Sequence, residues 1–423
     1  MIVIKRNGNK EKFDRIKILN SIKGAFDDIK KPYSLDLLDK LTNIVSNKFD
    51  KRKKYMVEEI QDLVELTLMQ EKFFDVAKQF IQYRHNHKLA RNHYAEMMDI
   101  VRTKLEAKDV QNQNANVDEH SFGGRIGEMS DAILKQYALN YCMSETSRNN
   151  HLNNEIYIHD LSAYPIGQHN CLSVPFDKLL EKGFNTRQTD VRPASSINTA
   201  MQLVAVIFQL QSLQQFGGVS ATHLDWTMVP YVRKSFAKHY KNGLKYLEEK
   251  EEIDYSIEFM LNNAKEYSIE ESDYQAYAPK AYKYAIDMTI KETHQAVEAL
   301  YHNLNTLQSR SGNQLPFTSI NYGTCTLSEG RMVIKELLEV SIEGLGRLHR
   351  TSVFPCGIFQ CMKGVNRALG DPNYDLFQLA LKSTSQRLYP NYANVDWSGN
   401  AGYDKNDPKT YFSTMGKCKL QLI

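Results

Sequence analysis

The sequence predicts an α/β protein with two domains of unequal size, which we expect to span residues 1–92 and 93–423. Its 423 residues exceed what one ordinary hydrophobic core holds. The first 91 residues combine a hairpin signal with helical periodicity, and beyond about residue 121 short β-rich runs alternate with long helical segments. Such alternation is typical of a parallel sheet or barrel whose chemistry lies at strand ends and loops.

The N-terminal domain is predicted to be mostly helical, with a β-hairpin as its cap. The runs IVIK and EKF flank the turn Arg6-Asn7-Gly8-Asn9, and Asn-Gly is among the strongest short hairpin signals. Apolar residues then recur at helical spacing from Ile16 to Phe26 and from Leu37 to Val45. Two further helices are predicted, one beginning at Val57 and one running from about Phe73 to Ala90.

In the second domain, strands and helices are predicted in alternation. Residues 109–121 are polar and rich in Asn, which predicts a loop. The elements predicted after this loop are a brief strand in NEIYIHDL at 154–161, a helix from Ile197 to Gln215 ended by Gly217-Gly218, helices over 240–300 and 331–346, and a strand at 316–323.

Composition indicates a folded protein of the cytoplasm. Hydrophobic residues make up 42% and aromatic residues 10% of the chain, as in proteins that bury a core. The N-terminus lacks the apolar segment of a signal peptide, and the most apolar run, Met201 to Leu210, is short and interrupted by glutamine, so we expect no membrane association. The six cysteines include no CxxC pair, so neither a disulfide framework nor a metal site is predicted.

Charge is distributed unevenly along the chain. The net charge is +3, yet residues 1–91 carry 20 Lys and Arg against 13 Asp and Glu. Lys5 and Arg6 precede the Asn7-Gly8 turn and Lys17 follows on the next helix, a set that suits a triphosphate cradle. An ordinary basic hairpin with a solvated lysine-rich surface accounts for the same residues, so the charge pattern alone leaves both interpretations open.

The N-terminal motif resembles the ATP cone of ribonucleotide reductases. The similarity rests on Val3 to Gly8, Glu11 to Asp14, Lys17-Ile18, Val57 to Asp62 and Tyr83-Arg84. It implies an allosteric ATP/dATP site in which cations bind phosphates, Phe13 lies against the base, and Glu11 or Asp14 contacts ribose or base. The residues implied are Lys5, Arg6, Glu11, Phe13, Asp14 and Lys17.

Ordered motifs over residues 92–416 resemble anaerobic, class III ribonucleoside-triphosphate reductases. The fold implied is an incomplete ten-stranded α/β barrel of the glycyl-radical type. The implied reaction reduces ribonucleoside triphosphates to deoxyribonucleoside triphosphates by radical chemistry with formate as reductant. The implied partners are a radical-SAM activase and a second copy in a homodimer, with no direct nucleic-acid binding. The motifs are NNEIYIHDLSAYPIGQHNCLSVPFDKLL, SINTA, QQFGG, SRSGNQLPF, NYGT, EGR, VFP, GDPNYD and YFSTMG.

Cys171 matches the family's barrel-strand thiol, which assists loss of water from the ribose. A lone cysteine in an apolar stretch is more often a buried small hydrophobic residue, and His159 alone is more often structural. Ser195, Ser196 and Asn198 are candidates for substrate contact or for stabilising the barrel entrance. For the other cysteines in the matching region, Cys325, Cys356 and Cys361, packing is the preferred interpretation.

The resemblance breaks off near the end of the sequence. The family's Ser-Thr-Met-Gly block leads directly into the radical cysteine and an arginine, whereas Gly416 here is followed by Lys417-Cys418. We therefore expect the radical cysteine, the later strands, the glycyl-radical loop and a four-cysteine zinc site to be missing through a frameshift, an intervening sequence or a split gene.

We accordingly predict no turnover by this chain alone, and a complementing C-terminal polypeptide as a candidate partner. The alternative function is a non-catalytic ATP/dATP-binding regulatory or partner-binding protein derived from the reductase. A relative of pyruvate formate-lyase is disfavoured because the chain has no adjacent cysteine pair.

Overall fold

A computed structural model describes residues 1–5, 8–50, 53–105, 121–167, 169–215, 217–250, 252–310, 314–397 and 403–415. The chain divides into two compact units, Met1–Thr103 and Lys104–Ile423. Arg6, Gly416 and Cys418, together with most of the predicted loop at 109–121, lie outside the described residues. No helix among the described residues combines the length and apolar character needed to cross a bilayer.

The first unit contains the predicted hairpin, with a third strand added to it. Strand β1 pairs antiparallel with β2 and parallel with β3, giving the order β2-β1-β3. The predicted boundary at residue 92 lies inside the fourth helix. The elements are β1 Ile2–Ile4, β2 Lys10–Lys12, α1 Arg15–Asp28, α2 Leu35–Asn47, β3 Lys54–Met56, α3 Val57–Gln70 and α4 Phe74–Leu105.

Side-chain caps start the first two helices of this unit. Asp14 accepts the Ile16 N–H at 2.9 Å, and Ser34 accepts the Leu37 N–H at 3.2 Å. The apolar faces of the helices meet in one core that includes Ile22, Phe26, Leu38, Leu41 and Leu68. Each such buried side chain contributes about 1.5–3 kcal/mol, so this core stabilises the hairpin against the helices.

The second unit is a parallel sheet surrounded by helices. Its strands are β4 Leu172–Ser173, β5 Phe184–Asn185, β6 Asp190–Val191, β7 Val219–Ala221, β8 Thr318–Tyr322, β9 Cys356–Cys361 and β10 Asn391–Asn394. Its helices are α5 Phe122–Tyr137, α6 Glu145–Leu152, α7 Phe176–Lys182, α8 Ile197–Ser212, α9 Leu224–Leu247, α10 Tyr255–Asn262, α11 Ser272–Tyr277, α12 Pro279–Thr306, α13 Ser328–Glu343 and α14 Tyr374–Arg387.

The sheet has one apolar and one polar face. Within the described residues its order is β10-β9-β8-β7-β4, all parallel, while β5 and β6 form a separate antiparallel pair. Val219, Ile320 and Phe359 point into the main core with helices α8, α9, α12 and α13. The alternate positions carry polar side chains, among them Ser220 and Asn321. A parallel α/β sheet is thus confirmed, and its closure into ten strands stays a prediction.

The strand predicted at 154–161 is wrong. These residues form turns and irregular backbone after α6. Asn154 and Asp160 have φ values of +61° and +53°, and such left-handed residues interrupt an extended run. Tyr157 is 80% exposed, so the run also lacks the burial that would hold a strand against a sheet.

Candidate functional site

The first unit contains a cavity of about 210 Å³ between the hairpin and helices α1, α3 and α4. Strand alternation explains why hairpin residues meet here: Val3 lies opposite Glu11, and Lys5 and Phe13 follow two residues later on the same side. The cavity contains every described member of the predicted effector site. The lining residues are Val3, Lys5, Glu11, Lys12, Phe13, Asp14, Lys17, Ile18, Ser21, Val57, Ile60, Gln61, Val64 and Phe80.

Glu11 bridges the two lysines of this cavity. Its carboxylate lies 2.6 Å from Lys5 Nζ and also accepts a hydrogen bond from Lys17 Nζ. The hydrogen bonds from Lys17 and Lys5 lower the pKa of Glu11 to about 2. The Lys5 and Lys17 side chains are 48% and 58% exposed, so a ligand can reach both ammonium groups. An anion entering the cavity therefore competes with Glu11 for its lysines.

Asp14 and Phe13 have structural contacts besides lining the cavity. The Asp14 carboxylate caps α1, which leaves Glu11 as the carboxylate that faces the lysines. The Phe13 ring meets Phe49 edge to face, with centroids 5.5 Å apart. This contact fixes the ring at the wall of the cavity, where a base could lie against it.

The sequence did not assign the cavity wall contributed by α3 and α4. Val57 and Ile60 were part of the ATP-cone motif without a role, and Phe80 was one apolar residue of a helix. Helical spacing could have predicted the part of this wall that α3 contributes. Its residues recur on one face of the helix, at Val57, Ile60, Gln61 and Val64. Together they supply the apolar floor beneath the charged rim.

In the second unit, Cys171 lies directly before β4, at the end of the sheet where the strands begin. The Gly218 N–H donates to its Sγ at 3.2 Å, and the Asn170 side-chain oxygen lies 3.7 Å from Sγ. The residue is half-buried. Because Cys171 and Ser173 are two residues apart, the thiol shares the polar face of the sheet.

A cavity of about 580 Å³ in the same unit is lined by residues that include Asp160 and Arg310. Arg310 interacts electrostatically with Asp160 and also with Cys171, which is not among the residues that line the cavity. Burial lowers the pKa of Arg310, and these two groups partly offset that effect. Its guanidinium donates to Gln314 at 2.9 Å and lies 4.4 Å from the Phe317 ring centroid. The other polar or charged side chains lining the cavity are Glu128, Ser130, Asp131, Lys135, His151, Tyr157, Asp160, Ser162, Ser212, Gln215 and Gln314.

The polar face of the sheet holds the segment 412–414. The Asn321 side chain donates to the Thr414 carbonyl and accepts the Thr414 N–H, both at 3.0 Å. Gln360 donates to the Phe412 carbonyl at 2.8 Å, and Ser220 Oγ lies 3.5 Å from the Thr414 carbonyl. Two adjacent strands thus hold the backbone of this segment through buried amides. The sequence motifs give no role to any of these side chains.

The remaining candidates lie in other surroundings. Ser196 caps α8 by accepting the Thr199 N–H at 3.2 Å, and Asn198 is exposed on the first turn of that helix. Burial raises the pKa of the Cys325 thiol, which agrees with packing. Cys356 Sγ lies 3.5 Å from the Tyr389 hydroxyl. Among the described residues, no three His, Cys, Asp or Glu side chains converge to hold a metal ion.

A methyl group at position 217 is expected to displace Cys171. The Cβ of a Gly217→Ala variant would lie 2.0 Å from the Asn170 carbonyl oxygen and 2.5 Å from Cys171 Sγ, so the backbone must move. We expect a stability loss of about 1–3 kcal/mol and a changed alkylation rate of Cys171, read by peptide mass spectrometry. Gly218→Ala is the matched control, because its nearest contact is an ordinary 3.6 Å. Equal stability and equal Cys171 alkylation rates in the two variants would contradict the close approach of Gly217 to Asn170 and Cys171.

Comparison with known proteins shows the class to which the chain is similar, that of ribonucleotide reductases with an N-terminal ATP cone domain. Residues 113–423 match the family model described as anaerobic ribonucleoside-triphosphate reductase, and residues 1–89 match the ATP cone domain. The chain belongs to the anaerobic ribonucleoside-triphosphate reductase family, which confirms the resemblance seen in its sequence.

The relatives are similar over most of this chain. It is 30% identical over 400 residues to the anaerobic ribonucleoside-triphosphate reductase of Haemophilus influenzae, covering 93% of this chain and 52% of that protein. It is 32% identical over 284 residues to the enzyme of enterobacteria phage T4, covering 67% and 42%. A crystal structure of the Thermotoga maritima anaerobic ribonucleotide reductase with dATP and CTP aligns with a TM-score of 0.46 and 14% identity, over 74% and 50%. The chain spans about half the length of the curated relatives it matches.

Proposed function

We propose that the chain serves the reduction of ribonucleoside triphosphates, with the N-terminal cavity as its ATP/dATP effector site. The observation that carries the effector site is convergence: Lys5, Glu11, Phe13, Asp14 and Lys17 line one cavity. Two ammonium groups at its rim suit phosphates, and the apolar floor with Phe13 suits a base. Arg6, next to Lys5 in the sequence, is proposed as a third phosphate ligand.

For the second unit we propose the catalytic part of the same enzyme, within a ten-stranded barrel and a homodimer. The whole enzyme would use a glycyl radical installed by a radical-SAM activase, formate as reductant, and a complementing polypeptide if the remaining length is encoded separately. In this chain, Cys171 is the proposed barrel-strand thiol. Its position on the polar face of the sheet and its electrostatic interaction with Arg310 support that role.

A turnover assay tests the catalytic proposal. The full chain is incubated with the activase, formate, a nucleoside triphosphate and a polypeptide supplying the rest of the family's length. We expect deoxynucleotide formation that Cys171→Ser abolishes and Cys142→Ser, a half-buried cysteine elsewhere in the unit, preserves. Turnover by the Cys171 variant would contradict the assignment. ATP binding without any turnover would favour the non-catalytic regulator.

Removing the charge of Glu11 is expected to tighten ATP binding. Glu11→Gln frees Lys5 and Lys17 and removes a negative charge from the path of the triphosphate, so the dissociation constant should fall by up to about fivefold. Calorimetric titration of the full chain measures the change. Lys12→Gln, which alters another lining side chain, should not tighten binding. Weaker binding to Glu11→Gln would instead show that the carboxylate contacts the nucleotide directly.

A further inference from the structure

A histidine lies between two carboxylates where helices α12 and α13 pack together. His294 of α12 has its Nδ1 atom 2.8 Å from the Glu336 carboxylate and its Nε2 atom 3.4 Å from the Glu343 carboxylate. Both glutamates belong to α13 and lie about two turns apart on one face of that helix. The ring therefore contacts the neighbouring helix at two levels. None of these three residues belongs to the sites described above.

Glu336 is the buried member of this group. Its side chain is 3% exposed, whereas the side chains of His294 and Glu343 are 28% and 58% exposed. Burial raises the pKa of Glu336, and the hydrogen bond with His294 counteracts the rise. A buried carboxylate is stable in its ionised form only beside a cation or several donors. His294 can supply that positive charge within hydrogen-bond distance.

The position of the ring favours its doubly protonated form. A neutral imidazole has one N–H, so it can donate to one of the two carboxylates while its other nitrogen presents a lone pair to the second. An imidazolium has an N–H on each side and meets both carboxylates with a donor. Burial lowers the pKa of His294, but the hydrogen bond to Glu336 and the charges of Glu343, Glu336 and Glu298 outweigh it and leave this pKa raised.

The other charges that the two helices place around the ring are mostly negative. On α12, Glu298 faces the ring and lies 3.7 Å from His302. On α13, Glu339 and Lys335 act on Glu336 with opposite signs and lie 3.7 Å from each other, so they largely cancel. The surroundings therefore favour a positive charge on the ring.

The main chain of Glu343 is fixed from its other side. Arg387 of α14 donates to the Glu343 carbonyl oxygen at 3.1 Å, and His349 Nδ1 lies 2.9 Å from the same oxygen. These contacts hold the last turn of α13 in place. The Glu343 carboxylate is thus positioned beside His294 by groups that belong to neither helix of the pair.

We propose that His294, Glu336 and Glu343 form a proton-dependent clamp between α12 and α13. When the ring is protonated, it binds both carboxylates and joins the two helices. When the proton is lost, one carboxylate faces a lone pair, and the buried Glu336 loses its cationic partner. Helices α12 and α13 come directly before and after β8, the strand that carries Asn321, so the clamp couples proton binding to the packing around this strand.

The direction of the pH effect follows from the raised pKa of His294. The folded chain keeps this proton to higher pH than the unfolded chain does. The contribution of the clamp to stability is therefore complete below the ordinary histidine value of about 6.5 and is lost as the pH rises through the higher pKa of the folded state. The second unit should become easier to unfold as the pH rises above this value.

Two measurements on the full chain test the clamp. NMR of histidine-labelled protein follows each imidazole with pH, and the resonance missing from His294→Gln identifies the ring. We expect its midpoint above about 6.5, and a downward shift of that midpoint in Glu343→Gln. Urea unfolding at a series of pH values should show a falling midpoint concentration with rising pH, and a smaller fall in His294→Gln. His302→Gln is the matched control, because this exposed histidine of α12 pairs only at 3.7 Å with Glu298.

A raised His294 midpoint that Glu343→Gln lowers, with a weaker pH dependence of unfolding in His294→Gln than in His302→Gln, supports the clamp. A midpoint at or below the ordinary value, or the same pH dependence in both histidine variants, overturns it. If His294→Gln does not fold, Glu343→Gln decides, since this exposed change should lower the midpoint of one histidine resonance and the absence of any shift overturns the proposal. Neither measurement uses turnover, so the result does not depend on the proposed function.

Discussion

Lys17→Ala is expected to weaken ATP binding by about ten- to hundredfold, the effect of losing one hydrogen bond to a charged group. Lys17 lines the N-terminal cavity from α1, and its ammonium group is reachable from solvent. The variant also leaves Glu11 with one lysine partner, so Glu11 would hold Lys5 against the incoming phosphate. Calorimetry with the full chain, using ATP and then dATP, measures the loss.

Lys23→Ala is the control for this experiment. Lys23 is exposed on the same helix and does not line the cavity, so a general electrostatic effect would weaken both variants alike. Circular dichroism should show both variants folded, because both substitutions are on the helix surface. Unchanged ATP binding by Lys17→Ala would contradict the proposal that this cavity is the effector site.

The largest expected loss of stability follows from Asp225→Ala. This fully buried carboxylate accepts the N–H groups of Gly323, Thr324 and Cys325 at 2.9, 3.1 and 3.0 Å. Burial raises the pKa of Asp225, and the hydrogen bonds from the Cys325 and Gly323 N–H groups counteract the rise. Without the carboxylate, three buried donors lose their partner, so the free energy of unfolding of the second unit should fall by about 3–5 kcal/mol.

Asp225→Asn separates hydrogen bonding from charge. An asparagine oxygen can still accept from the turn after β8, but its amide nitrogen would face the Trp226 N–H that now donates to Asp225. We expect a smaller loss, about 1–2 kcal/mol. Chemical denaturation followed by near-ultraviolet circular dichroism compares the variants. An alanine variant as stable as the parent would contradict the role of this carboxylate.

Local patterns predicted many elements of the fold. The Asn-Gly turn indicated the hairpin, which forms with Gly8 at φ +82°. The helix predicted from Ile197 ends at Ser212, close to the glycines taken as its stop. These features depend on side chains within one turn or one helix. Such features can therefore be predicted from the local sequence alone.

Features that depend on distant partners were harder to predict. Strand β3 is three residues long and exists because it pairs with β1, about fifty residues earlier. Conversely, Ile156 and Tyr157 have high β propensity, but no sheet lies beside them in the described residues. In a run this short, β propensity alone does not predict a strand, because the strand forms only where the edge of a sheet is available for pairing.

The candidate site shows the same division. The motif predicted which residues line the N-terminal cavity, because alternation along a hairpin is local. The bridge from Glu11 to both lysines depends on how α1 packs against the hairpin. The spacing of apolar residues along the sequence does not predict this packing. The amides on the polar face of the sheet likewise contact a segment more than fifty residues away.

Those amide contacts act on the backbone and do not involve the side chains of the segment they hold. Asn321 and Gln360 bind carbonyl and N–H groups of the main chain at residues 412 and 414. Side-chain replacements at 412–414 therefore leave these hydrogen bonds in place, except for proline at 414, which lacks the N–H that Asn321 accepts. Replacement of either amide, in contrast, removes the contacts themselves.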